Sequence, residues 1–190
     1  MARTLAWVTR SAVGAALATA GYVGLVTGGC PIDLRLGRRD RPLGPQVVAI
    51  EAPRDVVFDV IASPYLGRAT RAMQEKVKVL ERGADMVLAA HYTPVHGRLR
   101  AETVETVRFT RPERVDFRLV RGPVPYVVEA FVLTDTPTGS RLEYTGEMAA
   151  DLWRLGWWWS GVVARRWEAA VASSLDSVKR EAEHRSKRRS

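Results

Sequence analysis

The sequence predicts an α+β domain, a curved antiparallel sheet of seven strands wrapped around a long C-terminal helix, preceded by a transmembrane helix. Three observations carry this. The segment from Leu152 to Glu183 has helical periodicity, with Leu155, Trp159, Val162, Val163, Ala170, Val171, Ser174, Leu175 and Val178 at three- and four-residue steps. Between Lys76 and Met148 six strand-like runs follow one another through links too short for crossovers, which favours antiparallel pairing. Between Arg10 and Asp33 there is no charged residue.

That uncharged stretch opens the chain. Residues of about 11–32 are long enough to cross a hydrocarbon core of ~30 Å as a helix, so residues 1–33 read as a membrane anchor. A cleaved signal peptide is the competing reading, since Thr27-Gly28-Gly29 resembles a cleavage site. Ala12, Ala16, Ala20, Gly24 and Gly28 recur every four residues, a small-residue face on which two copies could pair as a homodimer. Arg35, Arg38, Arg39 and Arg41 outnumber Arg3 and Arg10, which places the following domain in the cytoplasm of a single-pass cell-membrane protein. Cys30 is the only cysteine, so no intrachain disulfide is possible.

Residues 34–45 have linker chemistry, with Gly37, Pro42 and Gly44 among the arginines. The domain proper is expected over 46–183. Gln46–Ala52 is its first strand, ended by Pro53. Asp55 offers an N-cap to a short helix stopped by Pro64, and a second helical piece is expected over Tyr65–Met73. Strands follow at Lys76–Glu81, Met86–Thr93, Gly97–Thr110, Arg114–Val120, Val124–Thr134 and Arg141–Met148. The final helix closes the domain, and residues 184–190 form a basic tail.

The net charge of +8 is confined to the ends. Residues 1–44 and 179–190 each carry an excess of four positive charges, and the remainder is balanced. A nucleic-acid partner is therefore not expected. Metal chemistry is not expected either, because only His91, His96 and His184 are available and no pair has ligand spacing with a third partner. No phosphate loop or nucleophile elbow is present, and no cofactor is implied.

The order of elements resembles the helix-grip fold of the START-like (SRPBCC) superfamily, which includes polyketide cyclases/dehydrases and lipid-transfer proteins. The residues carrying the resemblance are Ile50-Glu51-Ala52-Pro53-Arg54-Asp55-Val56-Val57-Phe58-Asp59-Val60, the Thr138-Gly139-Ser140-Arg141-Leu142 hairpin and the Trp-rich final helix. It spans about Val47 to Ala182, and the whole chain is similar to membrane-anchored actinobacterial members. The resemblance implies an apolar ligand held between sheet and helix, and supplies no catalytic motif.

Strand parity nominates the inward residues. Leu99, Ala101, Thr103, Glu105, Val107 and Phe109 share one face, as do Val127, Glu129, Phe131 and Leu133, and Leu142, Tyr144 and Gly146. Two inward acids are costly unless paired or protonated, so Glu105 and Glu129 are either functional or displaced by a bulge. Phe117, Tyr126, His91 and Tyr92 complete the strand-borne ligand candidates. Trp153 and Trp157 join them, because one helix cannot bury all of Trp153, Trp157, Trp158 and Trp159 on one stripe. Some are expected at a cavity mouth, a membrane interface or a partner. The leading expectation is a membrane-tethered binder of a hydrophobic small molecule or lipid. The alternatives are a cyclase/dehydratase-like enzyme using Glu, His and Tyr, and a membrane-anchored interaction module whose interior is fully packed.

Overall fold

A computed structural model describes residues 2–67, 76–97 and 99–188. Helix α1 spans Ala2–Val26. Seven strands follow, β1 (Arg39–Ile50), β2 (Val77–Arg82), β3 (Met86–His96), β4 (Leu99–Thr110), β5 (Arg114–Arg121), β6 (Tyr126–Thr136) and β7 (Gly139–Ala150). Helix α2 (Arg54–Ala62) lies between β1 and β2, and α3 (Trp153–Lys187) ends the fold. The strands form one antiparallel sheet in the order β1-β7-β6-β5-β4-β3-β2. Five of its six adjacencies are sequence neighbours, and the sixth brings β1 back beside β7.

The sheet's inner face is apolar because its strands alternate. Val107, Val115, Val127, Leu133, Leu142, Tyr144 and Met148 are almost wholly buried, while Arg108, Arg118 and Arg141 point outward. Helix α3 covers that face. Its buried residues are Gly156, Ser160, Val163, Ala164, Val171, Leu175 and Ala182. At the far end, α2 buries Val56, Val57, Phe58, Val60, Ile61 and Ala62 against α3 and the sheet. The β6–β7 hairpin is fastened there. Gly139 has φ +147° and lies where a Cβ would meet the Ile50 carbonyl, and Ser140 Oγ donates to the Ala52 carbonyl at 2.9 Å.

Several expectations are corrected. Strand β1 begins at Arg39, so most of the expected linker is strand, paired from Arg39↔Ala150 onward with an irregularity at Leu43/Gln46. Those pairings give the backbone polar groups of 39–43 a partner that linker composition does not reveal. Pro53, not Asp55, occupies the N-cap of α2, and Asp55 lies in its first turn, a favourable place for a negative charge. The second short helix falls largely on 68–75, outside the described residues.

The stripe on α3 is rotated at its start. Leu155 is exposed, and Gly156 and Ser160 face inward; at position 156 a Cβ would collide with the carbonyl of Asp151, the residue just past β7.

Helix α1 ends at Val26, so the expected span over 11–32 is not one helix. Among the described residues no helix is long and apolar enough to cross a membrane. Gly28 sits beyond the helix end with φ +67°, which breaks the small-residue stripe after Gly24 and removes Gly28 from a helical pairing face.

Candidate functional site

The interior between sheet and α3 holds two carboxyl groups. Glu105 comes from β4 and Glu129 from β6, with β5 between them. An irregularity does occur beside Glu105, but its extra residue is on β5. Val104 pairs with Arg121 and Glu105 with Leu119, so Val120 is expelled to solvent and the parity of β4 is kept. Glu105 therefore stays inside.

Glu105 is buried beside His91 of β3, whose partner across the strands is Thr103. Thr103 Oγ1 donates to Glu105 Oε1 at 2.6 Å, and His91 Nδ1 lies 3.3 Å from Glu105 Oε2. Nδ1 makes no hydrogen bond, its 3.3 Å approach to the carboxyl being a contact that alignment would turn into one. The other ring nitrogen, Nε2, is 2.9 Å from the Tyr65 hydroxyl. Tyr65 sits in the turn after α2, its amide donating to the Ala62 carbonyl and its own carbonyl accepting from Arg82 of β2. A continuous polar line thus runs Thr103–Glu105–His91–Tyr65.

Glu129 is held differently. Its Oε2 accepts from the Tyr144 hydroxyl of β7 at 2.8 Å and from Trp167 Nε1 of α3 at 2.7 Å. Gly146 lies directly across from it, where a Cβ would come within 2.8 Å of the Glu129 Cβ. The missing side chain gives Glu129 the room to lie against the sheet.

Burial dominates the electrostatics. Loss of water pushes the Glu105 carboxyl up to about 7, against the pull of its Thr103 hydrogen bond. Glu129 is also raised to about 7, first by burial and then by the negative charge of Glu105, while Trp167 and Tyr144 oppose the rise. Burial lowers His91 to about 4, so its imidazole is neutral near pH 7. The Tyr65 and Tyr144 hydroxyls are pushed upward by burial and the nearby carboxyls, and both remain protonated donors. The set at neutral pH is two carboxyls near their midpoints, one neutral imidazole and two phenols.

Aromatic rings fill the space around these groups. Tyr65 packs against Phe109 and Phe117, Phe117 against Phe131 at 5.3 Å between centroids, and Phe131 against Tyr144 at 5.6 Å. Val107 lies beneath them, fully buried. Of the candidates named from sequence, His91, Glu105, Val107, Phe109, Phe117, Glu129, Phe131 and Tyr144 are thus brought together.

Four are not. Tyr92 and Tyr126 are sequence neighbours of the inward residues His91 and Val127 and so lie on the opposite face of the sheet. Trp153 and Trp157 are exposed at the start of α3, where Gly156 and Ser160 take the inward face, and Trp157 lies under Arg41 at the surface. Two participants escape the strand pattern altogether. Tyr65 lies in an aperiodic turn, so no pattern nominates it. Trp167 is visible in the Trp cluster, but its partner depends on the rotation of α3.

Two depressions open at the surface, one of about 360 Å3 beside Arg41 and Trp157, and one of about 590 Å3 lined by Thr106, Asp116 and Arg118 that also reaches Phe117, Glu129 and Gly146 of the interior set. Neither collects acid–base groups comparable to the interior set. Among the described residues no cluster of His, Cys, Asp or Glu could hold a metal ion.

No protein-family model matches the chain, and no curated protein matches it by sequence. Solved structures do. The di-domain ARO/CYC StfQ from the steffimycin biosynthetic pathway superposes with a TM-score of 0.60 at 15% identity, covering 78% of this chain and 52% of that one. Zhui aromatase/cyclase from Streptomyces sp. R1128 gives 0.53 at 17% identity, covering 78% and 95%. Norcoclaurine synthase from Thalictrum flavum, a point mutant in complex with a transition-state analogue, gives 0.57 at 16% identity, covering 78% and 97%. With its seven-strand sheet gripping α3, the chain has the helix-grip fold that these aromatase/cyclases share.

Proposed function

We propose that the protein binds a small, largely apolar molecule bearing a hydroxyl or carbonyl group between the sheet and α3, and performs acid–base chemistry on it of the cyclase or dehydratase kind. The observation that carries this is the placement of two interior carboxyls, Glu105 buried beside an imidazole that bonds a phenol, and Glu129, half-buried, accepting from a phenol and an indole N–H; loss of water raises both to about 7. A carboxyl with a midpoint near the working pH can both take and return a proton.

In this reading Glu129 is the base that removes a proton beside a carbonyl. Tyr144 and Trp167 hold its Oε2, leaving Oε1 to meet the substrate. Glu105, relayed through His91 to the Tyr65 hydroxyl, supplies a proton to the oxygen that develops charge or leaves. The aromatic lining suits a planar substrate. A structure with the same fold, norcoclaurine synthase, is solved in complex with dopamine and hydroxybenzaldehyde, which are small aromatic molecules of this kind.

A second reading, an interaction module whose interior is fully packed, is favoured by the ring contacts Tyr65–Phe109 and Phe117–Phe131, which fill the space between sheet and helix; binding of a lipid-like molecule without turnover would need that space to open.

The test is ligand capture followed by turnover. Native mass spectrometry of the full chain, with extraction of copurified molecules, is expected to find an apolar compound or binding of a hydroxybenzaldehyde-class probe. Glu129→Gln is expected to keep that binding and to lose about a hundredfold or more of any turnover. Protein that is consistently empty and indifferent to aromatic probes would overturn the first reading and leave the packed module. Retained turnover in Glu129→Gln would remove the acid–base assignment and leave the binder.

A further inference from the structure

The start of α3 carries an apolar surface that the fold does not use. Trp153 is 57% exposed, Leu155 62% and Trp158 63%, in a segment whose inward positions are the small residues Gly156 and Ser160. Burial in the domain therefore does not explain Leu155 and Trp158, and it explains Trp153 only in part, since its ring lies over Gly37 while more than half of the residue stays exposed. Nor does the surface belong to the interior site, since Glu129 meets α3 only at Trp167.

The surface extends beyond α3. The chain before β1 crosses the start of α3, where Leu36 accepts from the Leu152 amide and Gly37 from the Trp153 amide. Asp151, almost fully buried, accepts from the Leu34 and Arg35 amides and from Arg38 Nε, which fixes that crossing. Leu34 and Leu36 are more than half exposed and lie beside the Trp-rich turn. The end of α1 arrives at the same place, with Tyr22 packed edge-on against Trp159 at 6.2 Å.

Charge around this patch is mainly positive. The Arg35 side chain is 84% exposed, with only a long 3.9 Å approach to Asp33, and Arg39, Arg154 and Arg165 are exposed too. Of the nearby acids, Asp33 and Asp151 are engaged by Arg38, Glu168 accepts from the Gly44 amide at the edge of the depression beside Arg41, and Asp40 stands at the strand start. Beside the patch, Arg41 lies over the Trp157 ring at 3.7 Å and shares with Arg165 the smaller depression. Exposed Trp and Leu ringed by arginine is complementary to an anionic bilayer surface, where indole sits at the headgroup level and guanidinium meets phosphate.

We propose that this end of the molecule is a docking surface for an anionic membrane, with Trp153, Leu155 and Trp158 entering the headgroup region and Arg35, Arg154 and Arg165 contacting lipid phosphates. The inference is independent of the interior chemistry, and it needs no helix that crosses the bilayer. Each exposed arginine near such a surface adds to the attraction, and together with the indoles they give reversible binding.

The experiment uses the full chain with phosphatidylcholine vesicles, with and without phosphatidylglycerol, some carrying brominated acyl chains. Binding is expected only with phosphatidylglycerol, with tryptophan emission quenched by the bromines and affinity falling as salt is raised. The double substitution Leu155→Ser/Trp158→Ser is expected to weaken binding by about tenfold or more while the melting temperature and binding of the aromatic probe in lipid-free solution stay unchanged. Equal binding by the variant would overturn the proposal and assign any attachment to α1. Absence of quenching would also overturn it. So would a wild-type dimer in sedimentation that the double substitution dissociates without change in lipid binding, which would make the patch a protein interface.

Discussion

Glu105 and Glu129 are both withdrawn from water, yet only Glu129 is gripped by two donors. The consequence is shared all the same. Unfolded, each would ionise near the ordinary 4.5; folded, each keeps its proton to about 7. Between those values the folded chain binds more protons than the unfolded one, so their contribution to stability is full below about 4.5 and is lost as pH rises through 7. His91 has the opposite sign. Its contribution is full above 6.5 and is lost as pH falls through about 4. Two carboxyls against one imidazole leave a net loss of stability as pH rises from about 5 to about 7. The melting temperature is expected to fall over that interval. Glu105→Gln and Glu129→Gln, which remove the charge but keep the shape, are expected to stabilise the fold at pH 8 by roughly 1–3 kcal/mol each and to flatten the slope. Thermal melts at pH 5 and pH 8 check both, and a steeper rise in stability with pH would count against the assignment.

At the scale of elements, the period-two pattern makes the inner sheet face legible in the sequence. Glu105, Glu129 and Tyr144 lie where alternation puts them. The same rule excludes Tyr92 and Tyr126, which residue type nominates and parity does not. What alternation cannot supply is the rotation of α3. That rotation is set by a close approach to β7, where a Cβ at position 156 would collide with the Asp151 carbonyl oxygen. Gly156 consequently takes the inward place that size and hydropathy would give to Leu155, while Trp159 keeps its expected contact with the core beside Ser160. Gly156→Ala must therefore push the start of α3 off the sheet. A loss of roughly 1–3 kcal/mol is expected, read as a lower melting temperature, and an unchanged melt would mean that α3 begins differently. Tyr65 is hidden for another reason, since turns carry no period.

For the whole molecule, strand count and sequential antiparallel order are legible because short links leave no room for crossovers. The N-terminal third is less legible. An uncharged run resembles a membrane span whether or not it forms one helix, and linker composition at 39–45 conceals a strand that depends on β7 for its partner. The assembled fold thus places two raised carboxyls under one long helix in an aromatic interior and leaves a Trp–Arg surface outside. The interior pair is the central claim, and its protonation can be read directly. In 13C NMR titration of glutamate-labelled protein, two side-chain carboxyl resonances should shift with midpoints near 7, one vanishing in Glu105→Gln and the other in Glu129→Gln. Midpoints near 4.5 for every glutamate would contradict the account.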